Sequence, residues 1–170
     1  VVTSTRDVSA SHLAAQALGA ARAPGRLAPH AHTNAIDLTL WTTQVFQDMS
    51  TGAPAQRIPP PVLAGCYAIA IFPQVMRTGL PGGELSRGVV LARRPNGRFG
   101  PPAFLLLRSS AVGSARHDTS LVLVINDRAA FDQLLRGRLR LDTNVSVAAG
   151  PTGARPRQAA DVYTYLRRRG

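Results

Sequence analysis

The residue types able to do covalent or acid–base chemistry are few here, and their spacing does not suit them to it. Cys66 is the sole cysteine and lies in the apolar run Cys66–Phe72, where a small buried thiol is the expected state. A nucleophilic thiol needs an electropositive, accessible niche and a paired histidine, and the sequence supplies neither. With one cysteine there is no internal disulfide. His117-Asp118 are neighbours, but no nucleophile elbow or other triad context accompanies them. His30-Ala31-His32 offers two imidazoles without the further ligands of a tetrahedral metal site, and reads as loop. Gly79, Gly82 and Gly83 are not followed by the Gly-Lys-Ser/Thr of a phosphate loop; they suit a turn or a close approach of two backbones. One glutamate and eight aspartates are the only carboxylates, and no two form an acid/base motif. The expectation is a protein without enzyme activity, cofactor or metal.

The arginines are a stronger lead. All 20 basic residues are arginine, against nine acids, which gives a net charge of +11 and a pI near 11.6. Arginine and alanine at the expense of lysine also fit a GC-rich bacterial source. A guanidinium grips phosphate or carboxylate through a planar fork that lysine lacks. Arg93, Arg94 and Arg98 flank Asn96-Gly97, a hairpin signal whose central positions both favour positive φ. Arg136, Arg138 and Arg140 follow a late helix, and Arg167 to Arg169 close the chain. Arg87, Arg93, Arg94, Arg98, Arg136, Arg138 and Arg140 are the candidate contacts to an anionic surface. Each such group contributes roughly 1 kcal/mol near an acidic membrane. Nucleic acid would feel the same field, but aromatics are only 5% of the chain and no groove-reading helix is evident. No stretch approaches the roughly 18 apolar residues of a membrane span, and the best, Val62 to Met76, is broken by Pro73. The expected partner is a polyanion, and charge alone leaves an anionic phospholipid surface on which the protein lies and nucleic acid nearly level.

Two kinds of element must position these arginines. Residues 1–33 carry a weak helical pattern (Val8, Leu13, Leu18) that ends at Pro24-Gly25. Asn34 with Asp37 three residues on resembles a capping signal. Leu38, Trp41, Val45 and Met49 then recur at helical spacing, so Asn34 to Met49 is read as an amphipathic helix. Its stripe is expected to pack on the core, with membrane insertion as the alternative. Gly52, Pro54 and Pro59 to Pro61 mark a linker. Strands are expected at Cys66–Phe72, Gly88–Ala92, Ala103–Leu107, Ser120–Ile125 and Val145–Ala148, each bounded by Gly, Pro or Asn. One helix interrupts them, capped by Asn126, with Phe131, Leu134 and Leu135 inward and Gly137 at its end. The connections are mostly too short for crossover helices. The reading is α+β: a twisted, mainly antiparallel sheet curling toward a barrel, with packed helices. Residues 1–55 form a helical segment and linker, and 56–170 the domain.

The ordered series Ile58-Pro59, Tyr67-Ala-Ile-Ala-Ile-Phe-Pro73, Gly82-Gly83, Arg87-Gly88-Val-Val90 and Pro102-Ala-Phe104 resembles the SYLF domain. Leu121-Val-Leu-Val-Ile-Asn126, Leu134-Leu135, Val145-Ser-Val-Ala-Ala-Gly-Pro151 with Gly153, and Tyr163-Thr-Tyr165 extend the match to about Ile58–Gly170. The resemblance implies phospholipid binding without enzyme activity. In a bacterium it implies a periplasmic or outer-membrane-associated location after signal cleavage. Departures fall in the loops: Gly97-Arg98-Phe99-Gly100-Pro101 replaces a Gly-Trp-Ser-x-Pro turn, and Gly113-Ser-Ala-Arg-His117 a Gly-Phe-Gln-x-Gly stretch. The chain reads as a divergent or C-terminally shortened member. The rival expectation is an envelope scaffold or adaptor that binds another protein through its sheet edge or basic face.

Overall fold

Runs of Val, Ile and Leu become strands here because helices cover both faces of the sheet they form. The computed structural model describes residues 2–4, 34–75, 84–109, 119–141, 144–151 and 159–168. The helical pattern through Val8, Leu13 and Leu18, the pair His30 and His32, Gly79, Gly82 and Gly83, His117-Asp118, Gly153 and Arg169 lie outside them. In chain order the elements are β1 (Val2–Ser4), α1 (Ala35–Thr51), α2 (Pro60–Gly65), β2 (Ala68–Phe72), β3 (Glu84–Ala92), β4 (Ala103–Ser109), β5 (Thr119–Ile125), α3 (Arg128–Leu135), β6 (Val147–Ala149) and β7 (Val162–Arg168).

The strands make one seven-stranded sheet in the order β1-β4-β3-β2-β5-β7-β6. Every pairing is antiparallel except β6 with β7. On one face Ile69, Ile71, Val122, Val124, Tyr163 and Tyr165 pack against Val45 and Met49 of α1 and Val62 of α2. On the other, Ala70, Phe72, Leu123 and Ile125 pack against Phe131 and Leu134 of α3. All residues of β2 and β5 are therefore buried, the pattern of strands sandwiched between helical layers. Gly88 fits the same packing: a Cβ there would lie 2.4 Å from the Phe72 ring.

Several expectations are corrected. The sheet does not curl into a barrel but stays open, with β1 and β6 at its edges; helices on both faces bury what a lumen would otherwise have to. The apolar stripe of α1 packs on the core as expected, with Leu38, Val45 and Met49 at most 5% exposed; only the alternative of a membrane-inserting face is set aside. The same cluster joins it to Ile58 and beyond. Thr42 can share that face because its hydroxyl donates to Leu38 C=O at 2.9 Å. Pro60 and Pro61 open α2 instead of forming a linker, since proline fits the first helical turn. Asp127, not Asn126, caps α3 by accepting from Ala130 N–H at 3.1 Å. Asn126 instead donates through Nδ2 to Ala160 C=O at 3.0 Å. Leu135 is 39% exposed, outside the core. Gly137 does end the helix. At φ 67° it directs its own N–H to Leu134 C=O and that of Arg138 to Gln133 C=O, a Schellman motif.

Candidate functional site

Arg93 continues the face of β3 that carries Val89, whose partner Ile71 faces α1 and α2. Its guanidinium reaches the end of α2. Nε donates to Cys66 C=O at 3.1 Å, while the two terminal nitrogens donate to Leu63 C=O and Gly97 C=O. The plane also covers the Phe99 ring at 4.6 Å, and Arg93 and Phe99 form a β-bridge across the hairpin. A cation here satisfies carbonyls that the last turn of a helix leaves open and complements the helix dipole. Arg93 is thus a structural residue tying β3, the hairpin and α2 together, with its donors turned inward.

Cys66 lies in the same knot. Its thiol donates to Leu63 C=O at 3.2 Å, and burial pushes its pKa up, opposed in part by the Arg93 hydrogen bond and charge. It stays a protonated, buried thiol, as its apolar run suggested.

Arg94 and Arg98 flank the hairpin tip and are exposed. The tip differs from the expected pair of positive-φ residues. Gly97 N–H donates to Arg94 C=O at 2.9 Å and Arg94 N–H to Arg98 C=O at 2.8 Å. Only Gly97, at φ 79°, has positive φ in this turn. Pro95 at the second turn position presets a negative φ, which suits a type I turn followed by a left-handed glycine.

Arg136, Arg138 and Arg140 are exposed after α3. Asn144 holds this stretch, accepting from Arg140 N–H at 2.8 Å and donating to Arg138 C=O at 2.9 Å. Leu139 between them is buried in the α3-side core. Arg87 is exposed on β3 and shares the face of Val89, toward the α1 side; it already interacts within the chain. The seven arginines therefore do not share one face. Two stand at the hairpin tip, three follow α3, one lies on the α1 side and one is internal. Arg94, Arg98, Arg136, Arg138 and Arg140 have no carboxylate partner among the described residues. No group of His, Cys, Asp and Glu among them could hold a metal ion.

The sequence reading also missed β7 as a strand, although Val162-Tyr-Thr-Tyr165 is rich in β-formers. The turn after β6 clamps it. Gly150 N–H donates to Thr164 C=O at 2.9 Å, and buried Tyr165 OH donates to Pro151 C=O at 3.0 Å. Asp161 and Ser146 bond reciprocally: Ser146 N–H to the Asp161 carboxylate and Asp161 N–H to Ser146 Oγ. The Ser146 N–H, and after it the Ser146 side chain, hydrogen-bond to that carboxylate and hold the Asp161 pKa below the usual carboxylate range. Beside this clamp, an open cleft of about 660 Å³ lies between the end of α1 and β7. On its wall Arg167 pairs with Asp48 at 3.3 Å.

The class so defined is an α+β domain whose tyrosine-rich last strand is clamped by a Val-Ala-Ala-Gly-Pro turn. A family model described as "Ysc84: Las17-binding protein actin regulator" matches residues 114–170. The SH3 domain-containing YSC84-like protein 1 of Xenopus laevis is 31% identical over 130 residues, 71% of this chain and 39% of that protein. Its Homo sapiens counterpart is 30% identical over 130 residues, covering 71% and 38%. Protein YSC84 of Saccharomyces cerevisiae is 30% identical over 112 residues, covering 64% and 24%. No solved structure matches the chain. The chain belongs to the Ysc84 family, defined by the SYLF domain, and spans at most about two-fifths of the length of these relatives. Their names are those of SH3 domain-containing and YSC84-like proteins, not of enzymes.

Proposed function

We propose that this domain is a non-catalytic binding module that associates peripherally with anionic phospholipid. One observation carries the reading: Arg94, Arg98, Arg136, Arg138 and Arg140 are exposed and lack carboxylate partners among the described residues, in a chain of net charge +11. Guanidinium groups left in this state bind phosphate oxygens through their forks. No described helix is long and apolar enough to cross a membrane, and the stripe of α1 is used by the core. Periplasmic or outer-membrane residence in a bacterium belongs to the same proposal; recovery of the native protein with the cytosol on cell fractionation would remove it.

Co-sedimentation with vesicles tests the binding. Vesicles containing phosphatidylserine are expected to pellet the protein and pure phosphatidylcholine vesicles are not. Binding should fade as the Debye length falls from about 10 Å at 0.1 M salt to about 3 Å at 1 M. Reversing Arg94 and Arg98 to glutamate removes two attractions of roughly 1 kcal/mol each and adds repulsion, so binding is expected to weaken at least about thirtyfold. Equal absence of binding to both vesicle types would overturn the proposal.

A second reading has its own support. The family description names a Las17-binding actin regulator, which favours an adaptor that holds another protein. Such a complex differs from lipid attraction in surviving salt that screens surface charge.

A further inference from the structure

β7 carries a length of strand edge that the described sheet does not use. β6 pairs with it only from Val147↔Val162 to Ala149↔Thr164. Val162 N–H donates to Ser146 C=O at 3.1 Å, and Thr164 C=O accepts from Gly150 N–H at 2.9 Å. Even-numbered residues of β7 therefore turn their backbone groups toward the β6 side, and strand alternation carries this to Leu166 and Arg168. On the opposite side β5 pairs with β7 as far as Thr119↔Arg168. Among the described residues, no strand lies beside Leu166–Arg168 on the β6 side. Leu166 is 58% exposed. The cleft of about 660 Å³ opens at this place, with Met49, Gly52, Gly150 and Tyr165 in its lining.

We infer that this edge takes up an extended, acidic segment of a partner protein by strand addition. The inference rests on the protein-binding reading and adds to it the site and the chemistry of the partner. Main-chain hydrogen bonds from Leu166 and Arg168 supply the pairing, and alternate side chains of the added strand face the cleft. Charge selects the occupant. Arg167 and Arg168 are exposed; Arg167 already pairs with Asp48, and Arg168 has no carboxylate partner among the described residues. A second copy pairing through the same edge would set these arginines against their own counterparts, and like charges across a strand pair are destabilising. A segment bearing carboxylates meets the opposite sign instead.

Fluorescence anisotropy on the full chain tests this with a labelled peptide of about ten residues alternating valine and glutamate, long enough for one strand. Its controls are the lysine-for-glutamate peptide and the same acidic peptide with a central proline. The acidic peptide is expected to bind at least about tenfold tighter than either control. Leu166→Pro removes the outward N–H at an edge position that tolerates proline, and is expected to weaken the peptide about tenfold. Leu166→Ala keeps the donor and should keep the binding. Hydrogen exchange should show new protection of the Leu166 and Arg168 amides when the acidic peptide is added. Leu166→Pro should still bind acidic vesicles, so loss of peptide binding is separable from failure of the phospholipid reading. Failure of the acidic peptide to bind, equal binding of all three peptides, or protection of the same amides by dimerisation without peptide would overturn the inference. If Leu166→Pro does not fold, the three peptides and the amide protection on the unmodified chain decide it.

Discussion

Replacing Arg93 with alanine is expected to destabilise the domain by about 2–4 kcal/mol, because it strips a charged donor from several carbonyls at once. Leu63 C=O and Cys66 C=O stand at the end of a short helix, and Gly97 C=O at the hairpin; one guanidinium serves all of them. The contact over Phe99 at 4.6 Å adds about 0.5–1 kcal/mol. Lysine is expected to recover little, since one ammonium lacks the planar fork that spans separated acceptors. Thermal and urea unfolding followed by circular dichroism would read the loss, at roughly 2–4 °C per kcal/mol for a domain of this size. Arg94→Ala, one residue away and exposed, should stay within about 0.5 kcal/mol of the parent. If Arg93→Ala and Arg94→Ala unfold alike, the structural role assigned to Arg93 is lost.

That contrast marks where reading the sequence reaches its limit. By composition Arg93, Arg94 and Arg98 are equivalent, and all flank the same turn. Strand alternation alone does not separate them: Arg93 continues the face of Val89 and Leu91, and Arg94 that of Val90 and Ala92, which packs in the α3-side core. What separates them is that Arg93 reaches the carbonyls of Leu63 and Cys66, which lie 30 and 27 positions earlier. No local pattern encodes that distance.

The same distinction runs through the fold. Asn34 as a cap, the stripe of α1, the apolar strands and Gly137 as a helix end were all legible, because each is a local matter of periodicity or dihedral preference. Barrel closure was misjudged because it depends on which elements cover which face. Once α1 and α2 occupy one side and α3 the other, an open sheet buries its apolar residues without closing. Pro60 and Pro61 look like linker residues in the sequence, yet at a helix start they are compatible with the first turn. Whether the arginines share a face was not legible at all, since turns between elements set it. Their dispersal gives the proposed membrane contact two exposed groups of arginines rather than one patch.

Gly150→Ala is expected to cost about 2–4 kcal/mol, for a reason of space and not of backbone dihedral. The Cβ of an alanine there would lie 2.0 Å from the Tyr165 ring, closer than any packed contact allows. The ring cannot easily yield. It is 5% exposed, within the cluster that includes Met49 and Val124, and its hydroxyl is held by Pro151 C=O at 3.0 Å. Moving it would break that bond and open space beneath α1. The alternative is that the turn after β6 lifts away, losing the Gly150–Thr164 bond and the short parallel pairing it closes. Either response loosens β7 along the edge proposed to receive a partner strand. A double-mutant cycle separates these costs from general disruption. Tyr165→Ala alone should cost about 3–5 kcal/mol as a buried aromatic deletion. In the Gly150→Ala, Tyr165→Ala double variant the steric conflict is gone, so the total should fall short of the sum by about 1–3 kcal/mol. Strict additivity of the two unfolding free energies would show that the glycine is not there to admit the ring.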